Sequence, residues 1–173
     1  MKVAIEFLES ILAKINKFFV FIACLMYVGT ILLINFDLFM RFAFRAPIAG
    51  LTEVTEIFLL YMTFLGAAWL YEDDGHVVVD IVLYNLVSKS LAKKILILQN
   101  HIIVGIISGI LVYYGSLTTF DHFMRGAYNP TILETPIALA IAIIPIGSFI
   151  LLLEVLVKIF NIGYRPKIVD PIK

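Results

Sequence analysis

The apolar residues of the chain fall into four long runs, at about residues 18–44, 51–71, 95–120 and 135–160. Short polar segments separate these runs. A helix needs about 20 residues to cross a hydrocarbon core of about 30 Å. Each run must be helical, since lipid offers no partner for an open strand edge. The pattern therefore predicts an all-α integral membrane protein, with one transmembrane domain over residues 1–173 and four transmembrane helices.

A fifth apolar stretch lies between the second and third spans and is too short to cross a bilayer. It is followed by Ser88 and Lys89, so we expect an amphipathic helix in the membrane interface at about residues 77–90. Gly75, His76 and Asp80 are expected to form the turn into that helix, with Gly75 ending the second span.

The basic residues predict the orientation of the four spans. Ten of the 13 lysines and arginines flank the spans on the side that also carries both chain ends. The other three, Arg41, Arg45 and Arg125, lie on the opposite side. Because lysine and arginine accumulate on the cytoplasmic side of membrane proteins, the bias predicts cytoplasmic N and C termini.

The composition agrees with a membrane protein, because 62% of the residues are hydrophobic and 15% are charged, against about a quarter charged in soluble domains. The net charge of zero gives no reason to expect a nucleic-acid partner. No nucleophile, phosphate-loop or metal-ligand spacing stands out. We therefore expect neither enzyme activity nor a bound cofactor or metal.

Charged residues gather where the first two spans and the last two spans meet the predicted outer surface. Two of these are acids three apart at the start of the second span, and two are arginines four apart at the end of the first. They predict either an ion-pair cluster that fixes the first hairpin or a docking site. The candidates are Arg41, Arg45, Glu53, Glu56, Asp121 and Arg125.

Small residues within the spans predict close helix packing, because small side chains let helices approach in lipid. The sequence leaves open whether these contacts lie inside the four-helix unit or face another subunit. Pro145 is expected to kink the fourth span or loosen one turn. The candidates are Gly66, Ala67, Ala68, Gly105, Gly109, Pro145 and Gly147.

None of the spans carries a charge at mid-depth, where intramembrane charges usually mark a substrate or ion path. This argues against a self-contained transporter. An alternative is a membrane anchor for a redox enzyme, with haem held by the inner histidines His76 and His101, whereas His122 lies on the predicted outer side. A stand-alone channel is a third hypothesis.

Several stretches, in order along the chain, resemble one known family. An Arg-Phe-Ala-Phe-Arg-Ala-Pro-Ile stretch starts at Arg41 and leads to the acid pair Glu53 and Glu56. Gly66-Ala67-Ala68 and Gly75-His76, with Asp80 four residues later, follow, and Glu134-Thr135-Pro136 and Ile144-Pro145-Ile146-Gly147 close the series. Together they resemble the small, DctQ-like membrane subunit of tripartite ATP-independent periplasmic (TRAP) transporters. Gly50 and Leu51 depart from the aromatic residue that the family often has before the acid pair.

The resemblance implies a bacterial inner-membrane protein that works with two partners. A periplasmic substrate-binding protein would capture an organic acid, such as a dicarboxylate, sialic acid or another carboxylate or sulfonate. A large membrane subunit would move the solute inward by an elevator-like motion driven by sodium. The small subunit would brace the large one and help the binding protein to dock.

Overall fold

The computed structural model describes residues 2–73 and 90–164, and side chains within 6–73 and 98–160. In these ranges the chain forms helices and no strand; Tyr128 and Pro136 form one isolated bridge. The helices are α1 (Lys2–Phe44), α2 (Leu51–Glu72), α3 (Ser90–Arg125), α4 (Ile137–Ile141) and α5 (Ile143–Tyr164).

The predicted fold class is confirmed, because four helical segments are long and apolar enough to cross a membrane. These segments are Glu6–Phe44, Leu51–Glu72, Leu98–Arg125 and Ile137–Phe160. The chain is therefore a multi-pass membrane protein. The expected interfacial helix, apart from Ser90 at the start of α3, lies outside the described residues, as do Gly75, His76 and Asp80. The orientation of the termini stays a prediction.

Helix α1 is much longer than the first apolar run, because it begins at Lys2 rather than near residue 18. Its 43 residues correspond to about 65 Å at about 1.5 Å per residue, roughly twice the thickness of a hydrocarbon core. The first proline of the chain is Pro47, so no residue before it removes a backbone N–H from the helix.

The helices are arranged in the order α1, α2, α5, α3, with each packed on its neighbours in this series. Helix α5 is central, because it contacts α1, α2, α3 and α4. A small apolar cluster of Leu12, Ala68 and Ile150 lies where α1, α2 and α5 meet. Most large apolar side chains on α1 and α3 are exposed, as expected for surfaces that face lipid.

The fourth span is interrupted between α4 and α5 at Ala142, as the position of Pro145 predicts. Pro145 has no N–H to donate to the carbonyl of Ile141, so the regular ladder fails there. Nearby, the hydroxyl of Tyr61 on α2 donates to a different carbonyl, that of Leu139, at 2.7 Å, so α2 holds the backbone of the interrupted segment.

The structure separates the small residues into two groups. A Cβ added at Gly147 would lie 2.7 Å from the backbone oxygen of Phe64, so this glycine permits the close approach of α5 to α2. Gly105 similarly lies under Val155, and Ala68 is buried. A Cβ at Gly66 or Gly109, by contrast, would meet nothing within 4 Å. The first group packs the four-helix unit, and the two open glycines lie on its surface.

Candidate functional site

One polar cluster lies at the end of the bundle formed by residues 45–50 and 126–136, which we call the hairpin end. Asp37 on α1 is buried there and accepts two hydrogen bonds. One comes from Nε of Arg41 at 2.6 Å and the other from the backbone N–H of Ile48 at 2.9 Å. The carboxylate therefore ties the end of α1 to the turn that leads into α2.

Glu53, in the first turn of α2, is covered by the loop that precedes α4. Its side chain is 8% exposed, and Oε1 accepts a long hydrogen bond of 3.4 Å from the backbone N–H of Leu133. The Leu133 side chain lies over Gly50, which has a φ of 81° and leaves no room for a Cβ. The acid at the positive end of α2 thus helps to hold the two loops of the hairpin end together.

The ion-pair interpretation required the arginines at the end of α1 to pair with the glutamates of α2. The described residues do not form such pairs. Within the described residues the two salt bridges are Arg41–Asp37 and Arg125–Asp121, and both join residues four apart on one helix. Arg41 pairs with Asp37, one turn earlier on its own helix, instead of with a glutamate of α2. The spacing of charges on two different helices does not reveal that a residue on the same helix competes for the arginine. The docking interpretation stays a prediction.

The hairpin end nevertheless presents charge to the solvent. Arg45 and Glu56 are exposed, and the Arg125 and Asp121 side chains retain 72% and 51% of their surface. Arg45 ends α1 with a φ of 53°, a left-handed conformation that is uncommon for a residue with a side chain. These groups, unlike Glu53, are accessible to a partner protein.

A second polar cluster lies at the opposite end and was not predicted from the sequence. The amide Nδ2 of Asn16 donates to Oε2 of Glu72 at 2.8 Å and to Oε1 of Glu154 at 2.7 Å. Asn16 is fully buried and Glu154 is 5% exposed. One amide therefore joins α1, α2 and α5 at a single point.

Lys158, one turn after Glu154 on α5, closes the end of α2. Its ammonium group donates to the backbone carbonyls of Tyr71 and Glu72 and lies 4.9 Å from the centre of the Tyr71 ring. The last carbonyls of a helix have no intrahelical donor and carry partial negative charge. A lysine from a neighbouring helix satisfies them here.

The histidines with described positions do not form a haem site. His101 packs edge-on against Tyr71, with ring centroids 5.6 Å apart, near the Asn16 end. His122 lies 21 residues further along the same helix, about 32 Å away at about 1.5 Å per residue. The two rings cannot ligate one iron atom. His76, the remaining candidate, lies outside the described residues.

The two polar clusters bound a wide apolar zone. The sequence contains no Asp, Glu, Lys, Arg or His between Lys17 and Asp37, nor between Glu56 and Glu72. The same is true between His101 and Asp121 and between Glu134 and Glu154. These stretches of 15 to 19 residues cover most of a hydrocarbon core. The arrangement provides polar anchoring at both ends and no acidic, basic or histidine side chain between them.

Comparison with known protein families gives one finding. A family model described as "Tripartite ATP-independent periplasmic transporters, DctQ component" matches residues 30–162. The match covers α2, α3, α4, most of α5 and both loops of the hairpin end, but not residues 2–29 of α1. No curated protein sequence matches the chain significantly.

Proposed function

The chain belongs to the DctQ family of tripartite ATP-independent periplasmic transporter components, and from this premise we propose that it is a scaffold subunit without a solute path of its own. It braces the large, sodium-coupled membrane subunit and helps a periplasmic binding protein to dock. The transported solute is an organic acid, such as a dicarboxylate, sialic acid, or a similar carboxylate or sulfonate. The complex lies in the bacterial inner membrane.

The absence of Asp, Glu, Lys, Arg and His from the middle of every span carries this proposal. A path for an organic anion or for sodium needs polar groups or unwound backbone at mid-depth. The fourth span is interrupted, but only near the hairpin end, and Tyr61 on α2 already satisfies a carbonyl there. The solute path must therefore be supplied by a partner.

Two features of the packing support a bracing role. One polar cluster fastens α1, α2 and α5 at the Asn16 end, and the other fastens α1 and α2 to the loops of the hairpin end. Because α1 and α3 lie at the two ends of the series α1, α2, α5, α3, these helices also leave broad faces for another protein or for lipid. Gly66 and Gly109 lie on such faces, and small residues are typical of helix–helix interfaces in membranes.

Docking of the binding protein is assigned to the hairpin end, because that end is periplasmic in the predicted orientation. Its exposed groups of both signs, Arg45, Glu56, Asp121 and Arg125, suit electrostatic steering of a soluble partner. Glu53 contributes indirectly by holding the loop that carries Leu133.

Co-purification with the large TRAP membrane subunit tests the bracing role. A tag on this chain should retain the large subunit through size-exclusion chromatography. Gly66→Leu and Gly109→Leu each add a bulky side chain at an open position. The substitution that faces the large subunit should reduce the amount of large subunit retained, while the isolated chain remains folded. Val28→Leu on α1, at a position 54% exposed, is the matched control. Failure of the unsubstituted chain to retain any large subunit would reject the proposal.

Docking has a separate test in the binding of the periplasmic protein to the two-subunit complex. The charge exchange Asp121→Arg with Arg125→Asp keeps an ion pair on α3 but reverses its direction. It should slow association mainly at low salt, because rim charges act on the association rate. Asp73→Arg, at an exposed position on the other end of the molecule, is the control. Equal effects of the exchange and of the control would contradict docking at the hairpin end.

A further inference from the structure

An exposed stripe runs along α1 and continues beyond the point at which Asn16 fixes the helix to the bundle. Its members are spaced alternately four and three residues apart, which keeps them on one side of a helix. They are Phe7, Ile11, Lys14, Phe18, Phe21, Leu25, Val28 and Leu32, and all are exposed. The side that faces lipid within the span thus continues unchanged toward the N terminus.

The part of α1 that precedes Asn16, residues 6–15, has two apolar sides. Leu12 is 3% exposed and belongs to the cluster with Ala68 and Ile150, so one side is packed. On the other side Phe7 is 66% exposed and Ile11 is 38% exposed. Side chains of this size are seldom left in water as a continuous patch.

The length of α1 sets where this segment lies. From Asn16 to Asp37 is about 32 Å at about 1.5 Å per residue, which already crosses the hydrocarbon core. From Phe7 to Phe44 is about 56 Å, and a tilt of about 35–40° would fit it within the full bilayer thickness of about 40–45 Å. At that tilt Asn16 to Asp37 projects about 25 Å along the membrane normal, so residues 6–15 extend from the edge of the hydrocarbon core into the headgroup region.

The charges on this segment lie on and beside the exposed stripe. Lys14 is a member of the stripe, and Lys17 lies beside it one turn further on. Glu9 lies on a different side of the helix from Lys14, and Glu6 lies three turns before Lys17 on the same side as Lys17. Neither lysine forms a salt bridge with any residue whose side chain is described. Two cations next to exposed aromatic rings fit an anionic lipid surface.

We propose that residues 6–17 of α1 form a membrane-surface arm that binds anionic phospholipids. Phe7, Ile11 and Phe18 enter the boundary between headgroups and acyl chains, and Lys14 and Lys17 extend to lipid phosphates. Lipid fits this surface better than a partner helix, because its members are bulky and include a lysine, whereas helix interfaces in membranes favour small residues. The arm lies outside the residues that match the family, and the proposal does not depend on the proposed function.

Fluorescence quenching in nanodiscs tests the arm. The full chain with Trp69→Phe loses its only tryptophan, and Phe7→Trp then places one indole on the exposed stripe. Glu6→Trp, exposed on a different side of the same turn, is the matched control. Lipids brominated at a shallow acyl position should quench the indole introduced at Phe7 at least twice as strongly as the one at Glu6, with iodide in the buffer showing the opposite order.

The lipid charge is tested in the same variants. Quenching at Phe7 should increase as phosphatidylglycerol replaces phosphatidylcholine, and Lys14→Gln with Lys17→Gln should abolish that increase without unfolding the chain, as circular dichroism would confirm. Equal quenching at both indoles would overturn the proposal. Quenching at Phe7 that does not change with lipid charge would also overturn it. An indole at Phe7 that neither the brominated lipid nor iodide quenches would overturn it too, because it would indicate that protein covers the arm.

Discussion

Replacing Gly147 with alanine tests the contact that brings α5 against α2. The added Cβ would lie 2.7 Å from the backbone oxygen of Phe64 and 2.8 Å from its Cβ. The first distance is about 0.7 Å shorter than an ordinary van der Waals contact. Neither atom is the flexible end of a side chain, so the two helices would have to separate.

The cost of this separation follows from two opposing effects. Overpacking a tightly packed contact costs about 1–3 kcal/mol, and alanine recovers up to about 1 kcal/mol through its higher helix propensity. We therefore expect Gly147→Ala to lower the free energy of unfolding by about 1–2 kcal/mol. Gly109→Ala is the matched control, because its Cβ would meet nothing within 4 Å. That variant should be as stable as the parent or more stable by up to about 1 kcal/mol.

The assay is equilibrium unfolding of the purified chain in mixed micelles, with a rising mole fraction of dodecyl sulfate and far-ultraviolet circular dichroism as the signal. The two alanine variants should shift the midpoint in opposite directions. Shifts of the same sign and size would mean that Gly147 is not at a close helix contact, and the helix order derived above would then be wrong.

Three further substitutions test the polar clusters and the helix interruption by the same assay. Asn16→Leu should destabilise the chain by about 1–3 kcal/mol, because it leaves a buried carboxylate without its donor, and adding Glu154→Leu should restore part of the loss. Gly50→Ala should cost about 1–3 kcal/mol from its positive φ, because the half-exposed Leu133 side chain can move aside; a neutral result would contradict the left-handed conformation. Tyr61→Phe removes the donor to the carbonyl in α4 and should cost about 0.6–1.7 kcal/mol, whereas no loss would mean that the carbonyl has another partner.

Hydropathy and composition were sufficient to predict the fold class and the four spans, because the bilayer imposes both length and helicity. The interruption near Pro145 followed from the missing N–H. The start of α1 at Lys2 could not be predicted in this way, because charged residues are interspersed among the apolar ones in residues 2–17. Hydropathy indicates where a helix meets lipid and not where the helix ends.

The polar contacts were harder to predict, because they depend on how the helices are rotated. Asn16 and Glu154 are 138 residues apart and meet only once α1 and α5 have packed. Glu53 and Glu56 look equivalent in sequence, yet one is buried under Leu133 and the other is exposed. Glu154, a single acid within an otherwise apolar stretch, is the signal that could have identified the second cluster, whereas Asn16 lies between Lys14 and Lys17 and gives no such signal.

Uptake of a labelled organic acid into proteoliposomes tests the central claim most directly. Under an inward sodium gradient, liposomes with this chain alone should take up no more solute than empty ones. Liposomes with the large subunit, this chain and the loaded binding protein should accumulate it, and omission of this chain should lower the rate. Uptake by this chain alone would contradict the claim that its apolar middle offers no path.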